Sequence, residues 1–314
     1  MPTKLSDVWP QVERLAREEG VAHLGASDVD DAHAALFARW IERGQHATMA
    51  YLAKNTTVRM HPRERYPWAR SVVVIMVPYA AERPHAPQNA MSQYIARYAL
   101  GDDYHEVLDR ILRRIETAFD GAKTWRYVDT GPLSDRSYAA QAGLGWIGKN
   151  GMLIHEEHGS YFFIGTLLTS LENDITATTV ADRCGACTSC IDACPTNAIL
   201  PDRTIESARC ISYATIEHRG PLDAHLAAHL EGNAFGCDIC QEACPWNRAP
   251  ATAHPSFAAR AEYRATPITD LLRFTQSDFS TLFRNSAIKR AKLAGMLRNV
   301  EALTAEEGRG MLKS

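Results

Sequence analysis

All eight cysteines of this 314-residue chain lie between positions 184 and 244. Four form the run Cys184-Gly-Ala-Cys187-Thr-Ser-Cys190-Ile-Asp-Ala-Cys194-Pro195, three form Cys237-Asp-Ile-Cys240-Gln-Glu-Ala-Cys244-Pro245, and Cys210 stands between the groups. A shift of 50 residues lays 187–197 over 237–247 with every cysteine and the Ala-Cys-Pro-x-Asn ending in register. The spacing C-x₂-C-x₂-C-x₃-C-P is that of a ferredoxin run, in which three thiolates hold one iron–sulfur cube and the fourth crosses to the other. The second copy has Ala234 where the first has Cys184, and Cys210 is the only spare thiol. The expected ligand sets are therefore Cys184, Cys187, Cys190 and Cys244 for one [4Fe–4S] cluster, and Cys194, Cys210, Cys237 and Cys240 for the other. Pairs of CxxC also build zinc knots. The full run, its repetition and the total of two times four favour iron and sulfur.

Such clusters relay electrons, so the remaining chain must hold what receives them. Its length leaves room for about two domains of roughly 100–200 residues. The N-terminus lacks the apolar core of a secretion signal and reads as an amphipathic helix. Val8, Val12 and Leu15 share a stripe, Ser6 is placed to cap the start, and Gly20 to end it. No run approaches the ~18 apolar residues of a membrane span. A cytoplasmic protein is expected, and in a reducing compartment clustered cysteines bind metal rather than pair as disulfides.

A second helix is expected over 29–43, with Leu36, Trp40 and Ile41 on one face. Residues 71–78 (SVVVIMVP) read as a buried strand, and 103–119 as a helix burying Val107, Leu108, Ile111, Leu112, Ile115 and Phe119. A strand ending at Tyr127-Val128 leads to a Gly-Pro turn and a helix that starts near Ser134 and Asp135. Gly143, Gly145, Gly148 and Gly151 follow, closely enough spaced to let backbone approach a bulky planar ligand. A further strand is expected within 160–170. The expected fold is α+β: an α/β-like catalytic domain over 1–175, a ferredoxin-like two-cluster module over 176–250, and a short helical tail over 251–314. A monomer is the default expectation.

Two carboxylates compete as a proton donor. Asp135 stands at a helix start, where carboxylates cap N–H groups. Asp129 follows a strand end, where ligand sites of α/β sheets gather. The net charge of −3 does not preclude a local basic face. Arg59, Arg63, Arg65 and Arg70 cluster in one segment, and Lys289, Arg290, Lys292 and Arg298 fall on the tail, whose 286–299 stretch reads as a basic amphipathic helix.

The strings SQYIARYALGDDYH (92–105), YVDTGPLSDRSYAAQAGLGWIGKN (127–150), GSYFFIG (159–165), RCISYATIEHRG (209–220) and GCDICQEACPWN (236–247), with the cysteine run, resemble epoxyqueuosine reductases over nearly the whole chain to about residue 248. The resemblance implies cobalamin over the N-terminal domain, two [4Fe–4S] clusters fed by an external electron donor, and as partner a tRNA whose anticodon loop carries epoxyqueuosine. It implies reduction of that epoxide to queuosine, the last step of queuosine biosynthesis. It puts the catalytic acid at Asp129 and points to Arg59, Arg97, Tyr98, Asp129, Lys149, Ser212 and Asp238 as cobalamin contacts. Asp31, His33 and Leu36 lack the glycine of the Asp-x-His-x-x-Gly cobalamin signature, so no histidine from that motif is expected on cobalt. Reductive dehalogenases, which pair cobalamin with two similar clusters, are the related alternative. A ferredoxin-type electron carrier is the alternative from a different class, and it would leave some 175 N-terminal residues without a purpose.

Overall fold

The computed structural model describes residues 2–30, 34–54, 56–79 and 82–307. At its centre is a four-stranded sheet in the order β1 (His23–Asp28), β2 (Ser71–Pro78), β6 (Phe162–Thr169), β3 (Thr124–Tyr127), with every neighbouring pair antiparallel. The α+β expectation holds, but the α/β-like description of the N-terminal domain does not, because that term implies parallel strands. The uninterrupted apolar run of β2 has another cause. Val73, Ile75 and Val77 pack into one core with helices Trp9–Glu18 and Tyr104–Glu116. Val72, Val74 and Met76 face the opposite way and meet Tyr138, Ala139 and Ala142 of helix Asp135–Gln141 and the residue after it. Both faces of the strand are covered, so alternation has nothing polar to alternate with.

Helix Trp9–Glu18 buries Val12 and Leu15, with Val8 beside them, and Gly20 ends it at φ +71. Ser6 does not cap it. Ser6 lies in a preceding turn, Leu5–Asp7, and its hydroxyl donates to Asp174 at 2.6 Å. Helix Tyr104–Glu116 buries the five apolar positions expected within it, and Phe119 is buried just beyond. Asp103 caps it by accepting the His105 N–H at 3.0 Å. The second helix, Ala34–Glu42, exposes Leu36. Trp40 anchors it by donating to the Ile205 carbonyl at 2.9 Å.

At two of the four loop glycines, Gly143 and Gly145, the close neighbour is protein backbone. A Cβ at Gly143 would stand 2.7 Å from the Thr178 carbonyl, and one at Gly145 would stand 2.1 Å from that of Ile154. Those glycines let two protein backbones touch around the small hairpin β4 (Trp146–Ile147) and β5 (Leu153–Ile154). The C-terminal region is not a loose appendage. Tyr263, Phe279, Phe283, Met296 and Val300 share a core with Met91, Ile95, Leu100 and Phe235. Among the described residues no helix is long and apolar enough to cross a membrane.

Gly145 has φ +146 as well as the backbone contact. Gly145→Ala should therefore cost roughly 2–4 kcal/mol, from the strained dihedral and overpacking together. A thermal or denaturant melt of purified variant and wild type checks this.

Candidate functional site

Cys184, Cys187, Cys190 and Cys244 line one cavity together with Lys149, Asn150, Ile154, Pro245 and Trp246. The last cysteine of the second run thus stands with the first three of the first run. Cys210 and Cys194 in turn act electrostatically on Cys237, and Cys240 feels Cys237, Cys210 and Cys194 together with Cys190 of the first group. The two copies of the motif fold alike, each forming a four-residue helix (Ser189–Asp192 and Ile239–Glu242) between its cysteines. Ala234, which interrupts the repeat, is fully buried, and its N–H donates to the Tyr94 carbonyl at 2.8 Å. Cys210 approaches from the start of helix Ile211–Ile216, and the N–H groups of Ser212 and Tyr213 favour its thiolate against the upward push of burial. Burial likewise raises Cys237, to about 12, as well as Cys240 and Cys244. Thiols packed together this way are costly to ionise without a cation between them, and bound iron reverses that cost.

The second constellation surrounds Asp129. It lies two residues past the end of β3, in the left-handed region at φ +56, a conformation retained for a non-glycine only where the surroundings demand it. Tyr104 Oη donates to its Oδ2 at 2.6 Å, and His105 Nε2 stands 3.7 Å from the same oxygen. His105 Nδ1 bonds Asp103 at 2.7 Å. Burial disfavours charge on both groups, but the interactions win. His105 and Tyr104 hold Asp129 below the ordinary carboxyl range, and the two aspartates lift His105 to about 9. At neutral pH the pair is an aspartate beside an imidazolium.

Asp135 is not a cap of its own helix. It turns back to accept the Asp129 N–H at 3.3 Å and the Thr166 hydroxyl at 3.2 Å. Burial, then the charge of Asp129, pushes it up to about 7. The side chain of Asp129 is 66% accessible. Asp129, Asp238 and Glu217 all act electrostatically on Tyr98, and Asp129 and Glu217 act on Tyr51 of the segment Ala50–Ala53. The acid and the cysteine-bearing module thus border one region. A cavity of about 310 Å³ opens beside it, lined by His105, Trp125, Tyr127 and Thr130 among others.

The remaining expected residues divide. Arg97 donates through its backbone N–H and its guanidinium to buried Asp238, at 2.8 and 3.1 Å, and through the guanidinium to Glu242 at 2.5 Å, which joins the two expected contacts to each other. The Nε atoms of Arg97 and Arg59 are buried with no hydrogen-bond partner. Tyr98 packs among Tyr104, Phe163 and Phe235. Ser212 follows Cys210. Lys149 lies elsewhere, donating to the Gly185 and Cys187 carbonyls beside the first cysteine set. Asp31 and His33 fall outside the described residues. Of the basic groups, Arg63, Arg65, Arg70, Lys289, Arg290 and Lys292 are exposed, with Arg70 at 3.6 Å from Glu172. The expected tail helix over 286–299 is interrupted: a turn, Ala287–Ala291, gives way to helix Lys292–Glu307 at Lys292, φ +62. Arg290 is bound to Glu217 by two contacts, and Arg298 to the carbonyls of Ala214, His218 and Gly220. The sequence reading missed Tyr104 and His105 as partners of the acid, although both stand in the quoted DDYH string.

Residues 183–247 match the family described as "4Fe-4S double cluster binding domain", and residues 59–130 match "Epoxyqueuosine reductase QueG, DUF1730". An epoxyqueuosine reductase from Leadbetterella byssophila is 36% identical over 302 residues, covering 94% of this chain and 98% of that protein. One from Synechocystis is 37% identical over 295 residues, covering 90% and 99%. Among solved structures, epoxyqueuosine reductase from Streptococcus thermophilus superposes with a TM-score of 0.86 at 29% identity, over 96% of this chain and 82% of that one. An epoxyqueuosine reductase solved with an epoxyqueuosine-modified tRNA-Tyr stem loop superposes with a TM-score of 0.89 at 27% identity, over the same shares.

If Cys210 completes the second set, Cys210→Ala should reduce the iron held after anaerobic reconstitution from about eight atoms per chain to about four. Iron analysis against protein concentration reads this directly, and a variant that still holds eight would remove Cys210 from the site.

Proposed function

The chain belongs to the epoxyqueuosine reductase family, and from that premise we propose that it reduces epoxyqueuosine at the wobble position of tRNA to queuosine. The overall change consumes two electrons and two protons, releases the epoxide oxygen as water and leaves a carbon–carbon double bond. We assign Cys184, Cys187, Cys190 and Cys244 to one cluster and Cys194, Cys210, Cys237 and Cys240 to the other. A corrin suits the region shared by Asp129, Tyr98 and Asp238, with Ser212 assigned to it from the family resemblance. The buried, unpartnered Nε donors of Arg59 and Arg97 match the carbonyls of corrin amide arms. When bound, reduced cobalt supplies the nucleophile or electron donor, and the clusters pass electrons singly from an external donor.

The observation that carries the reading is the carboxylate of Asp129, held accessible by Tyr104 and His105 in a region that the cysteine-bearing module also borders. Asp129, ionised at neutral pH, relays to the departing oxygen the proton that the His105 imidazolium holds. Tyr104 orients the carboxylate oxygen that carries it across. Exposed Arg63, Arg65 and Arg70, with Lys289 and Lys292, supply phosphate contacts for the RNA. Arg290 and Arg298 are committed within the protein and are left out of that set.

The test is an anaerobic incubation of reduced protein with tRNA carrying epoxyqueuosine, read by mass spectrometry of the digested nucleosides. Loss of one oxygen mass that depends on added cobalamin is expected. No conversion with corrin and clusters verified in place would overturn the reading.

The proton supply has its own signature. The folded pKa of His105, about 9, exceeds its ordinary 6.5. Its contribution to stability is therefore complete below that ordinary value and is lost as pH rises through about 9. The rate should stay level through neutral pH and fall past about 9. His105→Gln should lower the rate at neutral pH by roughly tenfold or more and abolish the alkaline limb. Single-turnover rates across pH for both proteins check this.

A further inference from the structure

Three histidines outside the region just described converge. His23 opens β1, and His155 and His158 lie in the loop that follows β5. His23 Nε2 and His158 Nδ1 are 3.1 Å apart, and His155 lies stacked on the His23 ring at a centroid distance of 3.7 Å. One nitrogen from each ring falls within 4.8 Å of the others, and all three residues are half-buried.

The loop that carries two of them is well fixed. His155 and Gly159 exchange both backbone hydrogen bonds, at 2.8 and 3.0 Å, and His155 Nδ1 accepts the Glu157 N–H at 3.2 Å. That leaves Nε2 as the His155 ring nitrogen for a ligand. Among the described residues none of the three rings has an ion-pair partner, whereas His105 has two. Hydrogen bonding therefore does not account for the cluster: three rings with six nitrogens share one bond with each other and one with the backbone. Burial, and after it the neighbouring imidazoles, lowers His23 to about 4 and holds His155 below the ordinary value, so both rings are neutral and keep a lone pair.

We propose that His23, His155 and His158 bind one divalent transition-metal ion of the zinc class, leaving a fourth position for water or an external ligand. Neutral imidazole suits zinc, nickel and copper, and three histidines with an open position are a recurring zinc arrangement. Two nitrogens on one tetrahedral zinc, each at ~2.0–2.1 Å, are about 3.3 Å apart. The His23–His158 separation is already close to that. His155 completes the set by turning about its χ2, a soft torsion for an imidazole. The ion clips β1 to a loop that adjoins the first cysteine set. Glu156 of that loop pairs with Arg183 at 2.7 Å, next to Cys184, and the backbone of Gly159 packs against Trp246 and Asn247, just past Cys244. This site is independent of the reductase reading.

The test uses protein with both cysteine sets loaded with iron, because empty thiolates would take up zinc through sulfur. Zinc is titrated in competition with a chromophoric chelator. Wild type should bind one equivalent, and His23→Gln and His158→Gln should each weaken it by roughly 100-fold. Zinc K-edge absorption should show nitrogen near ~2.0 Å and no sulfur shell near ~2.3 Å. Unchanged iron content and cluster absorbance establish that each variant is folded. No binding to wild type, equal affinity in both folded variants, or a sulfur shell would overturn the proposal.

Discussion

A buried carboxylate governs how the two functional regions face each other. Asp238 is 2% accessible and follows Cys237 directly, yet it accepts from the backbone and the guanidinium of Arg97 in a distant segment. Burial pushes its carboxyl up, and the two donors from Arg97 oppose that push. A charge so enclosed is tolerable only with partners in fixed positions. Arg97 begins the short stretch that ends at Tyr104 and His105, the residues holding Asp129. One ion pair thereby sets the register between the cysteine module and the acid.

That arrangement explains how the rest is spent. Helices Trp9–Glu18 and Tyr104–Glu116 cover one face of the sheet and helix Asp135–Gln141 the other, which fixes the end of β3 and the turn carrying Asp129. The C-terminal helices pack on the segment 91–100 and on Phe235, bracing the Arg97 side and the cysteine side together. Asp135 adds a tether on the Asp129 backbone, and burial, then the Asp129 charge, raises its own pKa. Asp129 and the Arg97–Asp238 pair are thus held in place by the fold itself, the preorganisation that suits proton delivery beside an electron-relaying module.

Much of this was legible in the sequence where one residue type carries one meaning. Cysteine spacing is the basis for the two proposed ligand sets, since sulfur ligation tolerates few spacings, and Cys184, Cys187, Cys190 and Cys244 line one cavity. The apolar periodicity of 104–116 gave its helix for the same reason. Legibility failed where a side chain has several possible partners. Ser6 had a helix to cap and a distant Asp174 to bond, and the distant partner prevailed. Arg298 read as a phosphate contact but closes the carbonyl end of helix Ile211–Ile216. The run of β2 could not distinguish a parallel strand from an antiparallel one covered on both faces. Glycines 143 and 145 marked a close approach correctly, but the approaching group was backbone. The imidazolium of His105 depends on two aspartates 26 residues apart in sequence, and local patterns do not record such pairs.

The central claim is that the carboxyl of Asp129 delivers the proton while the cysteine module's side delivers the electrons. Its most direct test is single turnover of pre-reduced Asp129→Asn holoenzyme on epoxyqueuosine tRNA. The amide keeps the shape and still accepts from Tyr104, so corrin and iron should load as in wild type while conversion slows by about 10²–10⁴. Conversion at the wild-type rate, with the same loading, would contradict the account.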